Sequence, residues 1–483
     1  MKEKWSIKLI FLGVGAVLAL ILGFIIAQTG VISLAIVPIL LGCLVLGYFI
    51  FRNPFIGFLL IIFFLPFERV PTLPVGGIDI KINTILGFLT IFAWLLASMF
   101  NANPSTGLRT GKWKIQPNAL AWPISLFVVA LLLSLTQALN LSRGIEVLIF
   151  SLFTIMLSIM TVNMISDQTA LRKVVIALFI SAVFVGLFGL FQFGGDVIGL
   201  PATITQLKVG YGSKVFGFPR IQAFSMEPLY FANYLLIPLS LAIAYFFSHA
   251  NFIKRRWLVG LMILLLINFV LTVSRGGYLG LAATLFLLLV FYFRQVFTRK
   301  TVIVLLILLV VTAGVIFALS RGENRATQAF INQATLQDAK KGSESVQGRL
   351  TTFDFAYAAF KKHPILGIGI GNYGPYFKNY PVDVPRTGWD IVNNQFIELL
   401  AETGLVGTVG YGLILLVIIW RSLTAIKKAK EPFLRASLIG LLAAFVGVMV
   451  QYNFFSTLYI IHIWVLIGLL VAVQNIILNP KSN

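Results

Sequence analysis

Residues 257–295 have the sequence WLVGLMILLLINFVLTVSRGGYLGLAATLFLLLVFYFRQ, in which two apolar segments, 257–274 and 277–295, flank Arg275. A membrane-spanning helix needs roughly 17–25 mostly apolar residues. Each segment is long enough to cross a bilayer as a helix. The stretch therefore predicts two consecutive transmembrane helices joined near Arg275.

The rest of the chain continues this pattern. Of the 483 residues, 59% are hydrophobic and 11% are charged, whereas soluble domains average about 45–50% and 25%. So many apolar residues cannot be hidden in a water-soluble core of this length, and the composition excludes disorder, collagen and a coiled coil. Cys43 is the single cysteine, which excludes a disulfide scaffold. The composition predicts an all-α, polytopic transmembrane helical bundle.

Apolar runs divide the chain into about fourteen predicted spans within a single integral membrane domain, residues 1–483. The third run is short enough to be re-entrant or to merge with a neighbour. The first is too long for a signal-peptide core and lacks a small-residue cleavage site, so we interpret it as a retained span. The predicted spans are 9–27, 31–51, 54–67, 83–100, 119–137, 145–165, 171–193, 228–249, 257–274, 277–295, 301–319, 402–421, 433–454 and 457–478.

The net charge of +21 has a topological explanation. With the N-terminus in the cytoplasm, the cytoplasmic connections carry 21 of the 37 basic residues and only three of the 16 acidic ones. An excess of lysine and arginine in short cytoplasmic connections is typical of membrane proteins. The charge therefore predicts cytoplasmic termini and gives no reason to expect a nucleic-acid partner.

Two long connections fall on the outer side, residues 194–227 and residues 320–401. The second contains two stretches of helical periodicity, TFDFAYAAFKKH (352–363) and NNQFIELLAETG (393–404), with GIGIGNYG (367–374) between them. Long connections of this kind are usually functional. We interpret the glycines as a tight turn, because a dinucleotide fingerprint needs a preceding strand and no phosphate-binding lysine motif is present.

Several outer-side arginines are candidates for binding an anion. Arg275 lies at membrane depth, where an unpaired guanidinium is costly, and Gly276 and Gly277 would let a ligand approach the backbone. A planar guanidinium suits a phosphate or diphosphate. Arg220 and Arg349 lie in outer segments otherwise poor in charge. The alternatives are an interfacial anchor for Arg275 and solvated or structural ion-pairing roles for the other two.

Candidate acids and bases are few. Glu227 precedes Pro228 at the predicted start of a span, so it is either a helix cap or a general base. Glu398 and Glu402 lie one turn apart, which favours an exposed polar helix face. The three histidines, His249, His363 and His462, are scattered along the chain, and no metal-binding motif is present. The sequence predicts neither a metal nor a cofactor.

The order of three motifs resembles the O-antigen ligase and O-antigen polymerase superfamily. They are LTVSRGGYLG (271–280), HPILGIGIGNYGPYF (363–377) and VNNQFIELLAETGLVG (392–407). The resemblance covers roughly residues 215–420. It implies a metal-independent, inverting glycosyltransferase of cell-envelope polysaccharide and lipopolysaccharide synthesis, on the outer face of the cytoplasmic membrane. The implied donor is a glycan on undecaprenyl diphosphate, whose diphosphate the arginines hold, and the acceptor is a glycan or lipid.

One departure from the family pattern favours polymerase over ligase. Ligases of the superfamily carry His-Asn where this chain has Asn393 and Asn394, and asparagine cannot accept a proton. Conversely, RIQAFSMEP (220–228) resembles the Arg…Ser-x-Glu-Pro pattern of some polymerases. The resemblance thus implies Glu227 as the general base. His462, in the last predicted span, is the second candidate. Asn393 and Asn394 join the arginines as candidate glycan-binding residues.

Two alternatives remain open from the sequence. A membrane transporter is supported by the many spans and by relatives of the superfamily that have been labelled bicarbonate transporters. Transporters usually show internal repeats and broken helices at the midplane, whereas here no self-similarity between halves is evident and the polar residues cluster at the outer side. A structural scaffold for other envelope enzymes would not need Arg275.

Overall fold

The computed structural model describes residues 33–69, 72–75, 78–99, 118–212, 218–248, 250, 252–297, 344–378 and 390–479. In these ranges the chain forms a bundle of α-helices. The helices are α1 (Ser33–Arg52), α2 (Pro54–Phe64), α3 (Ile82–Met99), α4 (Ala121–Ser134), α5 (Leu141–Met164), α6 (Gln168–Val197), α7 (Ala202–Thr205), α8 (Pro228–Phe247), α9 (Arg255–Leu271), α10 (Arg275–Val296), α11 (Glu344–Lys362), α12 (Tyr373–Lys378), α13 (Gln395–Lys428), α14 (Pro432–Gln451) and α15 (Ile461–Leu478).

The predicted all-α polytopic fold is confirmed. Eight of the described helices are long and apolar enough to cross a membrane: α3, α5, α6, α8, α10, α13, α14 and α15. The short third run is α2, which meets the end of α1 at a bend of 118°, as expected for a broken or re-entrant span. The predicted spans 9–27 and 301–319 lie outside the described residues.

Two features differ from the sequence expectation. The second loop helix and the predicted span 402–421 form one element, α13, which is kinked where Gly404 has a φ of 60°. A small antiparallel hairpin, β1 (Thr72–Val75) and β2 (Ile78–Lys81), precedes α3 and pairs Thr72 with Lys81. The sequence of the hairpin places Gly76-Gly77 between its strands, a typical two-residue hairpin connection.

Helices α8, α14 and α15 are the most enclosed spans of the bundle. Helix α14 packs against both α8 and α10, and α15 packs against α5. At the α10–α14 crossing, a Cβ added to Gly280 would meet the Gly447 carbonyl at 2.8 Å. Small residues permit this close approach of two backbones in membrane bundles, and it fixes the start of α10 next to the end of α14.

Several helix ends and connections meet at one end of the bundle, which we call the polar end. Backbone hydrogen bonds link its parts: Glu68 N to Phe224 O (3.1 Å), Ile221 N to Leu271 O (3.2 Å) and Gln395 N to Tyr452 O (2.8 Å). The Asn140 amide donates to Asn372 Oδ1 at 2.7 Å. The polar end comprises residues 65–69, 138–143, 219–227, 271–275, 363–373, 390–395 and 451–460.

Candidate functional site

Arg275 begins helix α10 at the polar end. Ser274 caps the helix, since its Oγ accepts from the Gly277 amide at 3.3 Å. Just before the cap, Val273 has a φ of 45°, a conformation that β-branched residues rarely adopt. Gly276 lies against the Phe454 ring, where a Cβ would come within 2.7 Å. Helix start, strained residue and close packing together hold the half-buried Arg275 in one place.

Arg220 lies on the segment that runs beside the end of α9. Its Nε is 3.5 Å from the Thr272 carbonyl, and its guanidinium lies over the Tyr211 ring, 5.5 Å from the centroid. Burial lowers the pKa of Arg220, and the positive charge of Arg275 adds to that lowering while Glu227 opposes it. Arg220 therefore lies within electrostatic range of both Arg275 and Glu227.

Arg349, on α11, is the third arginine of this group. Burial lowers its pKa, and Arg275 is the charged neighbour that lowers it further. Arg275 is thus the common neighbour of Arg220 and Arg349, although the three come from separate parts of the chain. We call these three residues the arginine cluster. Mutual repulsion makes such a cluster unfavourable until an anion binds among its members.

Glu227 stands beside the arginine cluster at the N-cap position of α8. Its side chain makes no capping hydrogen bond, and it is exposed. The alternative of a side-chain cap is therefore not the arrangement in the structure. The loop before it is strained at Ala223, with a φ of 48°. The buried Gln192 holds that residue, because its Oε1 accepts from Ala223 N (2.8 Å) and its Nε2 donates to Ala223 O (3.1 Å).

Backbone strain of this kind is concentrated at the polar end. Ala223, Val273 and Asn393 all have positive φ, and each lies shortly before a helix that carries a candidate site residue. Left-handed conformations cost of order 1–3 kcal/mol each in such residues and tend to occur at functional sites. The observation supports a functional polar end.

His462 is buried inside the helical bundle and does not line an open surface. It is 1% exposed, its Nε2 is 2.7 Å from Asn233 Oδ1, and its Nδ1 is 3.4 Å from Glu68 Oε1. The chain of polar contacts continues from Asn233 Nδ2 to Gln451 Oε1 (2.8 Å) and from Gln451 Nε2 to the Gly277 carbonyl (3.3 Å). His462 thus reaches the first turn of α10 through buried side chains.

The two asparagines have different positions. Asn394 caps α13, since its Oδ1 accepts from the Phe396 amide (3.0 Å) and the Ile397 amide (3.1 Å). Asn393 takes a left-handed conformation, with a φ of 59°, and its amide donates to Ser456 Oγ at 3.0 Å. The Asn394 oxygen is therefore used by the helix, and Asn393 is the more available of the two.

The expectation that Glu398 and Glu402 form an exposed polar face is wrong. Glu402 is 8% exposed, and its two oxygens accept from the Gly371 amide (2.8 Å) and the Tyr373 amide (2.9 Å). Glu398 Oε2 accepts from the Val392 amide (2.7 Å). Glu402 turns inward because the glycine turn folds back over α13 and offers it two backbone amides, whereas Glu398 is held by Val392 N, just before α13, and by Ser456 Oγ.

Gly367, Gly369 and Gly371 all have positive φ, as a tight turn between α11 and α12 requires. Arg143 Nε donates to the Gly371 carbonyl at 2.6 Å from the start of α5. The glycine turn is thus held by the Glu402 carboxylate on α13 and by the Arg143 guanidinium on α5.

Four residues at or next to the polar end were not singled out from the sequence: Glu68, Arg143, Asn233 and Gln451. Two of them had a visible signal. Glu68 follows the apolar run 54–67 directly, and Arg143 lies in a Ser-Arg-Gly segment that repeats the one around Arg275. Asn233 and Gln451 lie inside apolar spans, where nothing local distinguishes them. Within the part of the chain that the structure describes, no group of three or more His, Cys, Asp or Glu is placed to hold a metal ion.

Comparison with known proteins identifies one region. Residues 260–412 match the family model Wzy_C, O-antigen ligase. The matched range includes Arg275, Arg349, Glu398 and Glu402, whereas Arg220 and Glu227 precede it. No curated protein matches the chain significantly. Residues 260–412 of this polytopic helical membrane protein are thus similar to the O-antigen ligase family model.

Proposed function

We propose that the protein is a glycosyltransferase that transfers or polymerises a glycan from an undecaprenyl-diphosphate-linked donor. It acts without a metal, inverts the anomeric centre, and faces outward from the cytoplasmic membrane. The observation that carries the proposal is the arginine cluster beside an exposed carboxylate, partly inside the matched O-antigen ligase region.

The arginine cluster suits the leaving group of this reaction. Negative charge grows on the diphosphate as the sugar–phosphate bond breaks, and fixed guanidinium groups stabilise that charge where water is partly excluded. Arg275 is held by its helix start, by Phe454 and by the strained Val273. It therefore needs little reorganisation when the charge develops.

Glu227 suits the role of general base. The acceptor hydroxyl oxygen attacks the anomeric carbon opposite the diphosphate, and its proton passes to the Glu227 carboxylate as the bond to the diphosphate oxygen breaks. His462 is a weaker candidate for the general base than Glu227, because both of its ring nitrogens already face Glu68 and Asn233. Asn393, in the position of the ligase histidine, cannot accept a proton, which favours polymerisation. It remains a candidate glycan contact.

We further propose that residues 1–483 form one integral membrane domain with both termini in the cytoplasm. Residues 194–227 and 320–401 would then face outward, next to the lipids that carry the donor. The split of basic and acidic residues between the two sides supports this orientation. Cysteine placed at Lys378 in a Cys43→Ser background should label in intact cells, and cysteine at Lys254 should label only after permeabilisation. Labelling at Lys254 in intact cells and at Lys378 only after permeabilisation would place the polar end on the cytoplasmic side.

The surface glycan of a deletion strain tests the function. Loss of long chains with single repeats retained indicates a polymerase, and lipid-linked polymer with a bare acceptor indicates a ligase. An unchanged glycan contradicts the proposal and favours the transporter alternative. Complementation with Arg275→Ala should reproduce the deletion phenotype at normal protein level.

A further inference from the structure

A small cavity lies at the polar end between the glycine turn, the start of α13 and residues 456–459. Its volume is about 70 Å³. About 10–15 Å³ of such volume is enough to hold one water molecule, so the cavity admits several water-sized groups. Its lining comes from four separate segments of the chain and includes Arg143, Asp390, Gln395, Glu398, Glu402 and Tyr459.

Two acceptor atoms in the lining of this cavity are unused. Gln395 is 2% exposed, and its Oε1 has no hydrogen-bond partner among the described residues. The same holds for the buried Oδ2 of Asp390. Leaving a buried acceptor unsatisfied costs roughly 1–3 kcal/mol. The cavity is thus prepared for a ligand that donates hydrogen bonds.

The carboxylates of the lining favour a neutral hydroxylated ligand over a metal ion. Glu402 already accepts two backbone amides, and Glu398 accepts from Val392 N and Ser456 Oγ. No described cluster of carboxylates and histidines is arranged for a metal. A hydroxyl-bearing edge of one sugar has the required donors, and the rings of Tyr373 and Tyr459 give it an apolar wall.

The cavity is close to the proposed reaction site. Thr457, which lines it, has its Oγ1 2.8 Å from Tyr230 Oη, and Tyr230 is on the first turn of the helix that Glu227 begins. Phe454, three residues before Thr457, packs on Gly276 beside Arg275. Residues 454–457 therefore contact the first turn of α8, the first turn of α10 and the lining of the cavity.

We propose that this cavity is the acceptor subsite, which holds the hydroxyl-rich edge of the acceptor glycan while its reactive hydroxyl reaches Glu227. This inference rests on the proposed glycosyltransferase function, and it assigns Gln395 and Asp390 as residues that bind the acceptor. Neither residue has a part in holding the diphosphate.

The test measures binding of one oligosaccharide to the full chain in lipid nanodiscs. The probe is the repeat unit released by mild acid from the surface polysaccharide of the same strain, with a free reducing end. The parent should bind it, and Gln395→Leu should weaken binding at least about tenfold. Because Gln395 Oε1 has no partner to lose, Gln395→Leu should melt at or above the parent temperature. If Gln395→Leu does not fold, Asp390→Asn should show the weaker binding instead.

Gln474→Leu is the matched control. Gln474 is also buried with an unpartnered Oε1, but it lies near the other end of α15. This variant should bind the oligosaccharide as the parent does. Parent-like binding by both Gln395→Leu and Asp390→Asn, or no binding by the parent, would overturn the subsite.

Donor cleavage separates the two proposals. Arg275→Lys should bind the free oligosaccharide normally but release no undecaprenyl diphosphate from the lipid-linked donor. If the parent binds the oligosaccharide at the cavity and never releases undecaprenyl diphosphate, the proposed function fails and the glycan subsite remains. If the parent cleaves the donor while Gln395→Leu changes neither oligosaccharide binding nor the KM for acceptor, the function stands and the subsite fails.

Discussion

Two Ser-Arg-Gly segments begin helices at the same end of the bundle and have opposite surroundings. Arg143 lies in the first turn of α5 beside the inward-turned Glu398 and Glu402, and it donates to the Gly371 carbonyl. Arg275 begins α10 within range of two further arginines. The same three residues place a guanidinium at a helix start in both cases. Long-range packing then decides whether that guanidinium lies beside carboxylates or beside further arginines.

The chemical consequence follows from the local charge. Around Arg143 the carboxylates balance the cation, so the region favours neutral, hydroxylated ligands. Around Arg275 positive charges repel each other, and a bound diphosphate relieves that repulsion. Under the proposed function, this difference assigns the diphosphate leaving group to Arg275 and the acceptor glycan to the region around Arg143.

The largest expected effect comes from Arg275. Arg275→Ala should abolish transfer. Arg275→Lys should recover little activity, because the compact ammonium of lysine does not replace the planar guanidinium that binds a diphosphate through two hydrogen bonds. A loss of at least about 100-fold is expected, the size seen when one charge-stabilising donor is removed. Arg143→Lys should keep much more activity, since the lysine still balances the carboxylates. Near-parent rates for Arg275→Lys at normal protein level would reduce Arg275 to an interfacial anchor.

Glu227→Gln should come next. Glutamine keeps the shape of the side chain but takes no proton, and general base catalysis is typically worth about 10²–10⁴-fold. The variant should fold and bind the lipid-linked donor as the parent does, and transfer at least about a hundredfold more slowly. A parent-like rate would move proton removal elsewhere, with His462 as the next candidate, and would weaken the polymerase interpretation.

Arg220→Ala and Arg349→Ala should each be milder than Arg275→Ala. Each removes one outer member of the cluster and leaves Arg275, their common neighbour, in place. The double variant should approach the defect of Arg275→Ala. Steady-state transfer assays on the four proteins measure this order. If either single variant were as severe as Arg275→Ala, the centre of the cluster would have to be reassigned.

The smallest effect is expected at Asn394. Asn394→Ala removes the cap of α13 and should lower the free energy of unfolding by about 1 kcal/mol, with little change in the rate of the folded protein. Asn394→Asp should restore most of the stability, because aspartate caps as well as asparagine does. A rate loss above about tenfold, with an unchanged folded fraction, would instead make Asn394 a glycan contact, since a lost cap of this size acts on stability.

The sequence places many described helices correctly because hydropathy is local, although α4 and α9, at the predicted spans 119–137 and 257–274, are not among the eight described helices that could cross a membrane. Predicted spans such as 83–100 and 145–165 coincide with α3 and α5 to within four residues at each end. It also singles out Arg275, which interrupts an apolar run, whereas Arg143 at the same end was missed. The Gly76-Gly77 hairpin and the asparagine cap of α13 had local signals that could have been used.

The remainder depends on contacts between distant segments. Glu402 turns inward because the glycine turn, about 30 residues earlier in the chain, offers it two amides. Glu398 turns inward toward Ser456, 58 residues later in the chain. His462 meets Glu68 across almost the whole chain. The periodicity of the sequence within α13 or α15 carries no information about these distant partners. An exposed helix face was therefore the natural expectation for Glu398 and Glu402.

The central claim is that the arginine cluster stabilises a diphosphate leaving group while a glycosidic bond forms. The most direct measurement counts undecaprenyl diphosphate and new glycosidic bonds made by the purified full chain in lipid vesicles from a lipid-linked glycan. The proposal predicts one undecaprenyl diphosphate for each bond formed by the parent, and neither product from Arg275→Ala. Movement of donor or of bicarbonate across the vesicle membrane with no bond formed would contradict it and establish a transporter.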